Sequence, residues 1–182
     1  MENTITKLAN QPEKQTPAIR SFIVMLLFFA IGNTGFSQQM TAASNKITEV
    51  DTYLSNLKAT GTRENYTHVK SLLDDLHTSV YFDLGIKSAY DDNPKTLFTD
   101  PESFSELKTT AIDKGTIEMV TIRLSKLSQI RQQLDLSVFS GYKALKYIYI
   151  ISTVSNTGQN IISSVKNNPG NYSIFYKIDL GS

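Results

Sequence analysis

Residues 140–168 read SGYKALKYIYIISTVSNTGQNIISSVKNN and form the longest apolar segment outside the N-terminus. Their first part is rich in Ile, Tyr, Thr and Val, which β-strands favour. A second pattern runs through the whole segment, because apolar and small residues recur in alternating steps of four and three, as on one side of an α-helix. These positions are Tyr147, Ile151, Val154, Gly158, Ile161 and Val165. This spacing continues for longer than a strand usually runs, so we predict a helix over residues 140–168.

The front half of this predicted helix is apolar on nearly every side, which is typical of a central, buried helix. Tyr149 and Ile150 lie opposite the stripe, where either the rest of the chain or a second molecule covers them. Gly158 on the stripe allows a neighbouring helix to come close, at about 1 kcal/mol of helix propensity relative to Ala. The residues that we expect to be buried are Tyr147, Ile151 and Val154.

Two amphipathic helices are predicted before residue 85. The stripe of the first consists of Ile47, Val50, Leu54 and Leu57. It ends at Gly61, because glycine tolerates the positive φ that often follows a helix, and Thr62 caps the second helix. The stripe of the second consists of Tyr66, Val69, Leu73, Leu76 and Val80. With so short a connection the two should form an antiparallel hairpin, and such narrow stripes favour coiled-coil packing.

The middle of the chain predicts a loop and two more helices. Residues 86–99 show no helical period and contain the turn sequence Asp91-Asp92-Asn93-Pro94. Asp100-Pro101-Glu102 combines an N-cap, a first-turn Pro and an acid, so a short helix should follow. Its inward residues are Phe104, Leu107 and Ala111. Another stripe predicts a helix of about twenty residues from Thr116. That stripe consists of Ile117, Val120, Leu124, Leu127, Ile130 and Leu134.

The end of the chain alternates apolar and polar residues and predicts one strand over residues 171–180. A lone strand leaves its hydrogen-bonding edges unmet. It therefore lies as an extended tail on the helices, pairs with residues 96–98, or pairs with another chain. The fold class that follows is all-α: an antiparallel bundle of four to five helices with a long central C-terminal helix and an extended tail. The alternative is an α+β fold with a small two-stranded sheet.

The N-terminus predicts export. Three basic residues precede an apolar run over residues 22–32, and Gly35-Phe36-Ser37 supplies small residues at a cleavage site. This combination is typical of a secretory signal peptide over residues 1–37, with Gln38 as the first mature residue. The run is too short to span a bilayer, although a retained anchor remains the alternative. We expect one domain over residues 38–182 in a bacterial periplasmic or extracellular protein.

Charge and cysteine content exclude several classes of function. The mature chain carries fifteen basic and fifteen acidic residues, which gives no support to nucleic-acid binding. No cysteine is present, so thiolate chemistry and Cys-ligated metals are excluded. Residues 74–113 carry nine acidic and three basic side chains, and residues 114–182 carry eight basic and three acidic. Either these halves attract each other within the fold, or the acidic half faces a basic partner.

Candidate catalytic and metal-binding residues are few. His68 and His77 are nine residues apart on the predicted second helix, too far to share a metal, and a solvated helix face explains them. The turn at Asp92 lacks the glycine and distal glutamate of a calcium loop. Carboxylates that a glycosidase would need are Asp74, Asp75, Asp83, Asp91 and Asp92, but nothing sets their separation. We predict no enzymatic activity, no cofactor and no metal.

The last third of the chain is rich in tyrosine. A core whose rim lets each hydroxyl reach water accounts for this pattern. An interface is the alternative, because tyrosine is enriched where protein surfaces meet. The candidate interface residues are Tyr147, Tyr149, Ile150, Tyr172 and Tyr176.

Residues 115–170 include the segment IRQQLDLSVFSGYKALKYIYIISTVSNTGQNIISSVKNNPG. In their general residue pattern, without a fixed motif, they resemble small exported helical proteins of Bacteroidota-type bacteria. Some of those proteins are encoded in conjugative-transfer modules. The resemblance implies an accessory, non-catalytic role in a cell-envelope or transfer assembly. We therefore expect function through contacts with a protein partner or through self-association. The alternative is a periplasmic protein that binds a small apolar ligand between the tyrosine-rich segment and residues 86–99.

Overall fold

The structure, a computed structural model, describes residues 46–89, 92–169 and 171–181, so the predicted signal peptide and Gln38 lie outside the described residues. The chain is α/β, and the prediction of an all-α, coiled-coil-like bundle is wrong. The strands are β1 (Thr48–Glu49), β2 (Ser79–Asp83), β3 (Ile86–Ala89), β4 (Thr96–Thr99), β5 (Met119–Leu124), β6 (Leu134–Asp135), β7 (Tyr147–Ser152), β8 (Val165–Lys166) and β9 (Ser173–Ile178). The α-helices are α1 (Val50–Thr60), α2 (Arg63–Asp74), α3 (Phe104–Leu107), α4 (Leu127–Ile130) and α5 (Gly158–Ser164).

Seven strands form one sheet in the order β1-β9-β7-β5-β4-β2-β3, and β6 pairs with β8 in a second, two-stranded sheet. Every neighbouring pair in the large sheet is parallel except β2 and β3. From β2 to β9 the parallel strands follow one another in chain order, so the chain winds in one direction. Residues at one register position are Thr96, Met119, Tyr147 and Ser173, which makes successive coils 23, 28 and 26 residues long. This winding is that of a short solenoid.

The connections that follow β4, β5 and β7 pack on one side of the large sheet, here called the crossover face. Right-handed connections that advance in one direction must lie on the same side. Strand residues such as Val120, Ile148 and Ile174 point to this side and are buried against the connections. The connection residues that meet them include Phe104, Leu107, Leu134, Leu136, Phe139 and Ile161.

The opposite side, here called the helix face, is partly covered by α1 and α2. Met119 and Phe175 are buried there together with Val50, Val69 and Leu72 of the two helices. The two helices predicted before residue 85 are confirmed as α1 and α2, although Thr48 and Glu49 form β1 rather than the start of the first helix. The predicted cap is also confirmed, because Thr62 Oγ1 accepts a hydrogen bond from the Asn65 amide at 3.2 Å.

Gly61 is required for space rather than for a positive φ. Its φ is −86°, and a Cβ at this position would lie 2.5 Å from the Leu57 carbonyl oxygen. The second helix is shorter than predicted, because it ends at Asp74 and Val80 belongs to β2.

The predicted helix over residues 140–168 is wrong and consists of β7, α5 and β8. A parallel strand covered on both faces reads as a continuous apolar run, because alternate residues face two different apolar layers. Ile148 and Ile150 face the crossover side, whereas Tyr147 and Tyr149 face α1 and α2. The apolar residues whose spacing of four and three suggested one helix are spread over these three separate elements. Tyr147, Ile151 and Val154, predicted to be buried, are half-buried.

The predicted helix from Thr116 is wrong for the same reason, since it spans β5, α4 and β6. The predicted loop over residues 86–99 contains β3 and β4. The cap at Asp100 is confirmed: its side chain accepts hydrogen bonds from the Glu102 and Ser103 amides, and Pro101 begins the 3₁₀ helix Pro101–Ser103. Phe104 and Leu107 are buried as predicted, but Ala111 is exposed.

The predicted C-terminal strand is confirmed as β9, but it pairs with β7 on one side and β1 on the other. The tail on a helical bundle, the pairing with residues 96–98 and the small two-stranded α+β sheet are therefore wrong. Within the described part of the chain, no helix has the length and apolar content needed to cross a bilayer.

Candidate functional site

Strands β2 and β4 form a part of the helix face that lies next to α1 and α2 and is not covered by them. Tyr81 of β2 and Phe98 of β4 are register partners, and their rings stack with centroids 4.7 Å apart and planes 7° from parallel. Tyr81 is 40% exposed and Phe98 is half-buried. The cluster that α1 and α2 form with the sheet involves β5, β7 and β9 instead. Two aromatic rings are thus presented at this end of the sheet.

The turn between β2 and β3 extends this apolar area. Leu84 has a φ of 50° and Gly85 a φ of 76°. Turns with two such residues favour Asn-Gly or Asp-Gly, because a left-handed conformation costs other residues about 1–2 kcal/mol. Leu84 is nevertheless 60% exposed, and Ile86 is 69% exposed. Leu84, Ile86, Tyr81 and Phe98 together are named the hairpin surface.

Asp100 fastens this turn to the connection that follows β4. Its buried carboxylate accepts a hydrogen bond from the Leu84 amide at 2.9 Å and from the Ser103 hydroxyl at 2.8 Å. The Ser103 hydroxyl oxygen in turn accepts from the Gly85 amide at 3.1 Å. The unusual backbone of Leu84 is therefore held by a cap that serves two elements at once.

Asp83, the last residue of β2, lies next to Asp100, because the register that pairs Phe82 with Thr99 continues by one residue. A hydrogen bond with Asp100, followed by burial, raises the pKa of Asp83. Burial raises the pKa of Asp100, but hydrogen bonds from Asp83, Leu84, Ser103 and Glu102 outweigh it and lower that pKa. Asp83 is therefore the member of the pair that takes up a proton first as the pH falls, while the oxygens of Asp100 are occupied by structural hydrogen bonds.

Asp83 was among the sequence candidates for paired carboxylates, but its partner Asp100 was not. The sequence pointed instead to Asp74 and Asp75, which lie at the end of α2 and just after it. Asp91 lies outside the described residues.

A second polar cluster occupies the opposite ends of the strands. Glu118, just before β5, receives hydrogen bonds from Lys95 Nζ at 2.8 Å and from His68 Nε2 at 2.9 Å, and Lys146 Nζ lies 3.7 Å away. Burial raises the pKa of Glu118, but Lys95 and His68 outweigh it and lower the pKa. Since His68 belongs to α2, this cluster fastens the helical pair to the sheet.

The two histidines make separate contacts, and the prediction that both lie on the second helix is wrong for His77, because α2 ends at Asp74. His77 Nε2 hydrogen-bonds the Ser71 carbonyl oxygen at 2.9 Å, while His68 meets Glu118. Among the residues described, no group of three or more His, Asp or Glu side chains is arranged to hold a metal ion.

The candidate interface residues are not brought into one surface. Tyr147 and Tyr149 are half-buried on the helix face, and burial raises the pKa of Tyr149 to about 12. Ile150 is fully buried on the crossover face, to which Tyr176 also points. The Tyr172 hydroxyl donates to the Phe139 carbonyl oxygen at 3.1 Å.

Among the described residues, the first part of segment 86–99 lies far from the tyrosine-rich strand β7. The part of that loop which forms β3 lies at the sheet edge, and β2, β4 and β5 separate it from β7. At about 4.8 Å per strand, the separation is roughly 19 Å.

The hairpin surface was missed because residues 62–85 were assigned to one helix. Two signals pointed to a strand and a turn. Val80 and Phe82 alternate with more polar neighbours, and Leu84-Gly85 separates this segment from another extended one. The stacking of Tyr81 on Phe98 depends on strand register and has no local signature.

Comparison of the chain with protein-family models, with curated proteins and with solved structures found no match in any of the three.

Proposed function

We propose that the protein is an exported, non-catalytic binding protein whose hairpin surface docks a segment of another protein. The observation that carries this proposal is Leu84. An exposed leucine in a left-handed turn contributes little to the core and is less favourable there than Asn or Gly. Residues held in such conformations are concentrated at functional sites, and a large exposed side chain at the tip of a hairpin is suited to contact a partner.

The charges around the hairpin surface support a partner segment with lysine or arginine beside its apolar residues. Asp83 is the register partner of Ile86, and the Glu106 carboxylate lies beside Gly85. Residues 74–113, in which the hairpin lies, carry nine acidic and three basic side chains. An apolar centre with a charged rim is a common arrangement of protein interfaces, and complementary charge on the partner speeds association.

The winding of the chain supports binding rather than catalysis. In open α/β sheets, substrates occupy the crevice that forms where the strand order reverses. Strands β2, β4, β5, β7 and β9 advance in one direction. These strands therefore form no such crevice. Catalysis by a pair of carboxylates would depend on Asp83 and Asp100, and the oxygens of Asp100 already accept four hydrogen bonds.

The predicted signal peptide and the resemblance of residues 115–170 to exported proteins support a place in the cell envelope. We propose an accessory role in an envelope or transfer assembly. Cell fractionation followed by N-terminal sequencing tests this part. We expect the protein outside the cytoplasm with Gln38 at its N-terminus, and an intact leader in the cytoplasmic fraction would contradict export.

The binding proposal is tested by selecting displayed peptides on the immobilised protein. We expect selected sequences to combine Leu, Ile or Phe with Lys or Arg, and to bind more weakly as the salt concentration rises. The double variant Leu84→Asn, Ile86→Thr should lose binding at least 10-fold. Asn suits the left-handed turn, so this variant should keep its thermal stability.

Leu180→Asn is the matched control, because Leu180 is 61% exposed and follows β9, which lies near the opposite edge of the sheet from β2 and β3. Its binding should equal that of the unaltered protein. Peptides that bind the double variant normally, or that are predominantly acidic, would contradict the proposal. Light scattering completes the test: self-association that the double variant abolishes would identify a second copy of the chain as the partner.

A further inference from the structure

A groove of about 550 Å³ lies on the other side of the molecule, among the connections of the crossover face. It is lined by α4 and the three residues that follow it, by α5, and by Lys166 of β8. This volume is within the range of small-molecule sites, which is about 300–1,000 Å³. The hairpin surface contributes no residue to it, so the groove is a separate feature.

Two cations line the groove without an acidic neighbour in its wall. They are Arg131, which follows α4, and Lys166 of β8. Neither forms an ion pair within the described part of the chain. Asp135 is the register partner of Lys166, but its carboxylate accepts hydrogen bonds from Ser137 and Asn167. The lining of the groove therefore carries two positive charges and no negative one, and the carboxylate of Asp135 lies outside it.

Neutral polar groups complete the wall. The amides of Gln132, Gln133 and Asn160 can each donate and accept hydrogen bonds. The hydroxyls of Ser163 and Ser164 donate to the Asn160 and Ile161 carbonyl oxygens of their own helix, at 3.0 and 2.7 Å. Their oxygen atoms therefore face a ligand as acceptors. Such a wall is matched to a molecule that carries many hydroxyl groups.

Leu127 and Ile130 give the groove an apolar strip. Leu127 is 68% exposed, although a leucine in a helix of the connection layer is normally turned inward. A sugar ring combines hydroxyls at its edge with an apolar face, so it meets both kinds of lining. A simple inorganic anion would use the two cations and leave the amides and the apolar strip without contacts.

We infer that this groove binds an acidic oligosaccharide, with its acid groups on Arg131 and Lys166 and a ring face on Leu127 and Ile130. The amides between them receive the hydroxyl groups. Two cations are too few for nucleic acid, whose binding depends on many phosphate contacts.

Calorimetric titration with tetragalacturonate tests this inference. We expect binding that Arg131→Gln and Lys166→Gln each weaken at least 10-fold. The control Lys143→Gln removes an exposed cation elsewhere and should bind as the unaltered protein does. Maltotetraose, which has the same ring number without acid groups, should bind at least 10-fold more weakly. Equal binding of maltotetraose, or normal binding by both groove variants, would overturn the inference.

Two further probes separate the saccharide from other anions. Tetraglutamate and inorganic sulfate should each displace tetragalacturonate only at concentrations at least 10-fold higher than its own. Displacement at equal concentration would assign the groove to acidic peptides or to simple anions instead. Methyl NMR locates the site independently: tetragalacturonate should shift the Leu127 and Ile130 signals and leave Ile151, on the helix face, unchanged. Shifts confined to Ile151 would also contradict the assignment.

Discussion

Glu118 is the residue through which α2 is fastened to the sheet, since it meets His68 of the helix and Lys95 and Lys146 of two neighbouring strand starts. Its pKa is lower in the folded protein than the value of about 4.3 expected for the unfolded chain. A carboxylate of this kind stabilises the fold above its unfolded pKa, and the contribution is lost as the pH falls through the folded pKa.

We therefore expect Glu118→Gln to lower the free energy of unfolding by about 1–3 kcal/mol at pH 7, the usual cost of disturbing a partly buried charged hydrogen-bond network. The difference should shrink as the pH falls below about 4. Urea unfolding followed by tyrosine fluorescence measures it, because the chain has no tryptophan. Glu64→Gln, an exposed change on the same helix, should have little effect. An equal loss for both variants at every pH would contradict the role of Glu118.

Gly158 is fixed by close packing at the start of α5. A Cβ at this position would lie 2.1 Å from the Tyr176 hydroxyl oxygen and 2.7 Å from the ring carbon that bears it. The sequence pattern led us to expect a neighbouring helix here, but the neighbour is a strand residue of β9.

In an open helical position Gly→Ala stabilises by about 1 kcal/mol. Gly158→Ala should instead destabilise by about 1 kcal/mol, because the half-buried Tyr176 ring must shift to make room for the added methyl group. The control Gly141→Ala has its nearest neighbour, Lys114 Cδ, at 3.6 Å and should be neutral. Both are measured by thermal unfolding, and a stabilised Gly158→Ala protein would show that Tyr176 yields without cost.

At the scale of the element, α1 and α2 are held to the sheet by a small apolar cluster. Val69 of α2 is fully buried within it, whereas Thr67 on the same helix is exposed. Val69→Ala should lower the free energy of unfolding by about 1–3 kcal/mol, through lost burial and an incompletely filled cavity. Thr67→Ala removes the same β-branch and should change stability by less than about 0.5 kcal/mol. Urea unfolding distinguishes the two, and similar losses would mean that the helix does not pack as described.

The elements that were predicted correctly are those whose patterns come from one apolar face or from local hydrogen bonds. Helix α1 has one buried side, the cap at Asp100 uses its own neighbours, and β9 alternates because its two faces meet different surroundings. Strands β5 and β7 defeated the same reasoning because both of their faces are apolar. The β-branched residues of β7 were the correct indication, and the length of the four-three pattern wrongly outweighed them.

The candidate site was less predictable than the fold. Leu84 needs a positive φ that its residue type does not suggest, and Ile86 carries no mark of exposure. Asp83 and Asp100 are 17 residues apart and meet only through the parallel register of β2 and β4. The groove between α4 and α5 depends on two separate connections lying side by side. These features follow from the winding of the chain, which local patterns did not disclose.

At the scale of the whole molecule, one-directional winding means that each coil mainly contacts the coils before and after it. Stability in such a structure is approximately a sum of coil and neighbour terms, and the outermost strands open most easily. Strands β5 and β7 each have a neighbour on both sides. Strand β3 lies at one edge of the sheet and β1 at the other.

Amide hydrogen exchange should therefore be graded across the sheet. The amides of Ile122 and Ile150, in the central strands, should exchange most slowly, at rates close to those set by global unfolding. The paired amides of β3 should exchange at least about 100-fold faster, because opening this edge disturbs only β2. Glu118→Gln should accelerate exchange in α2 more than in β4 or β9, since it releases the helices and leaves the coils intact. Uniform protection of β3, β5 and β7 would instead show that the sheet opens as a single unit, and that the coils do not contribute separately to stability.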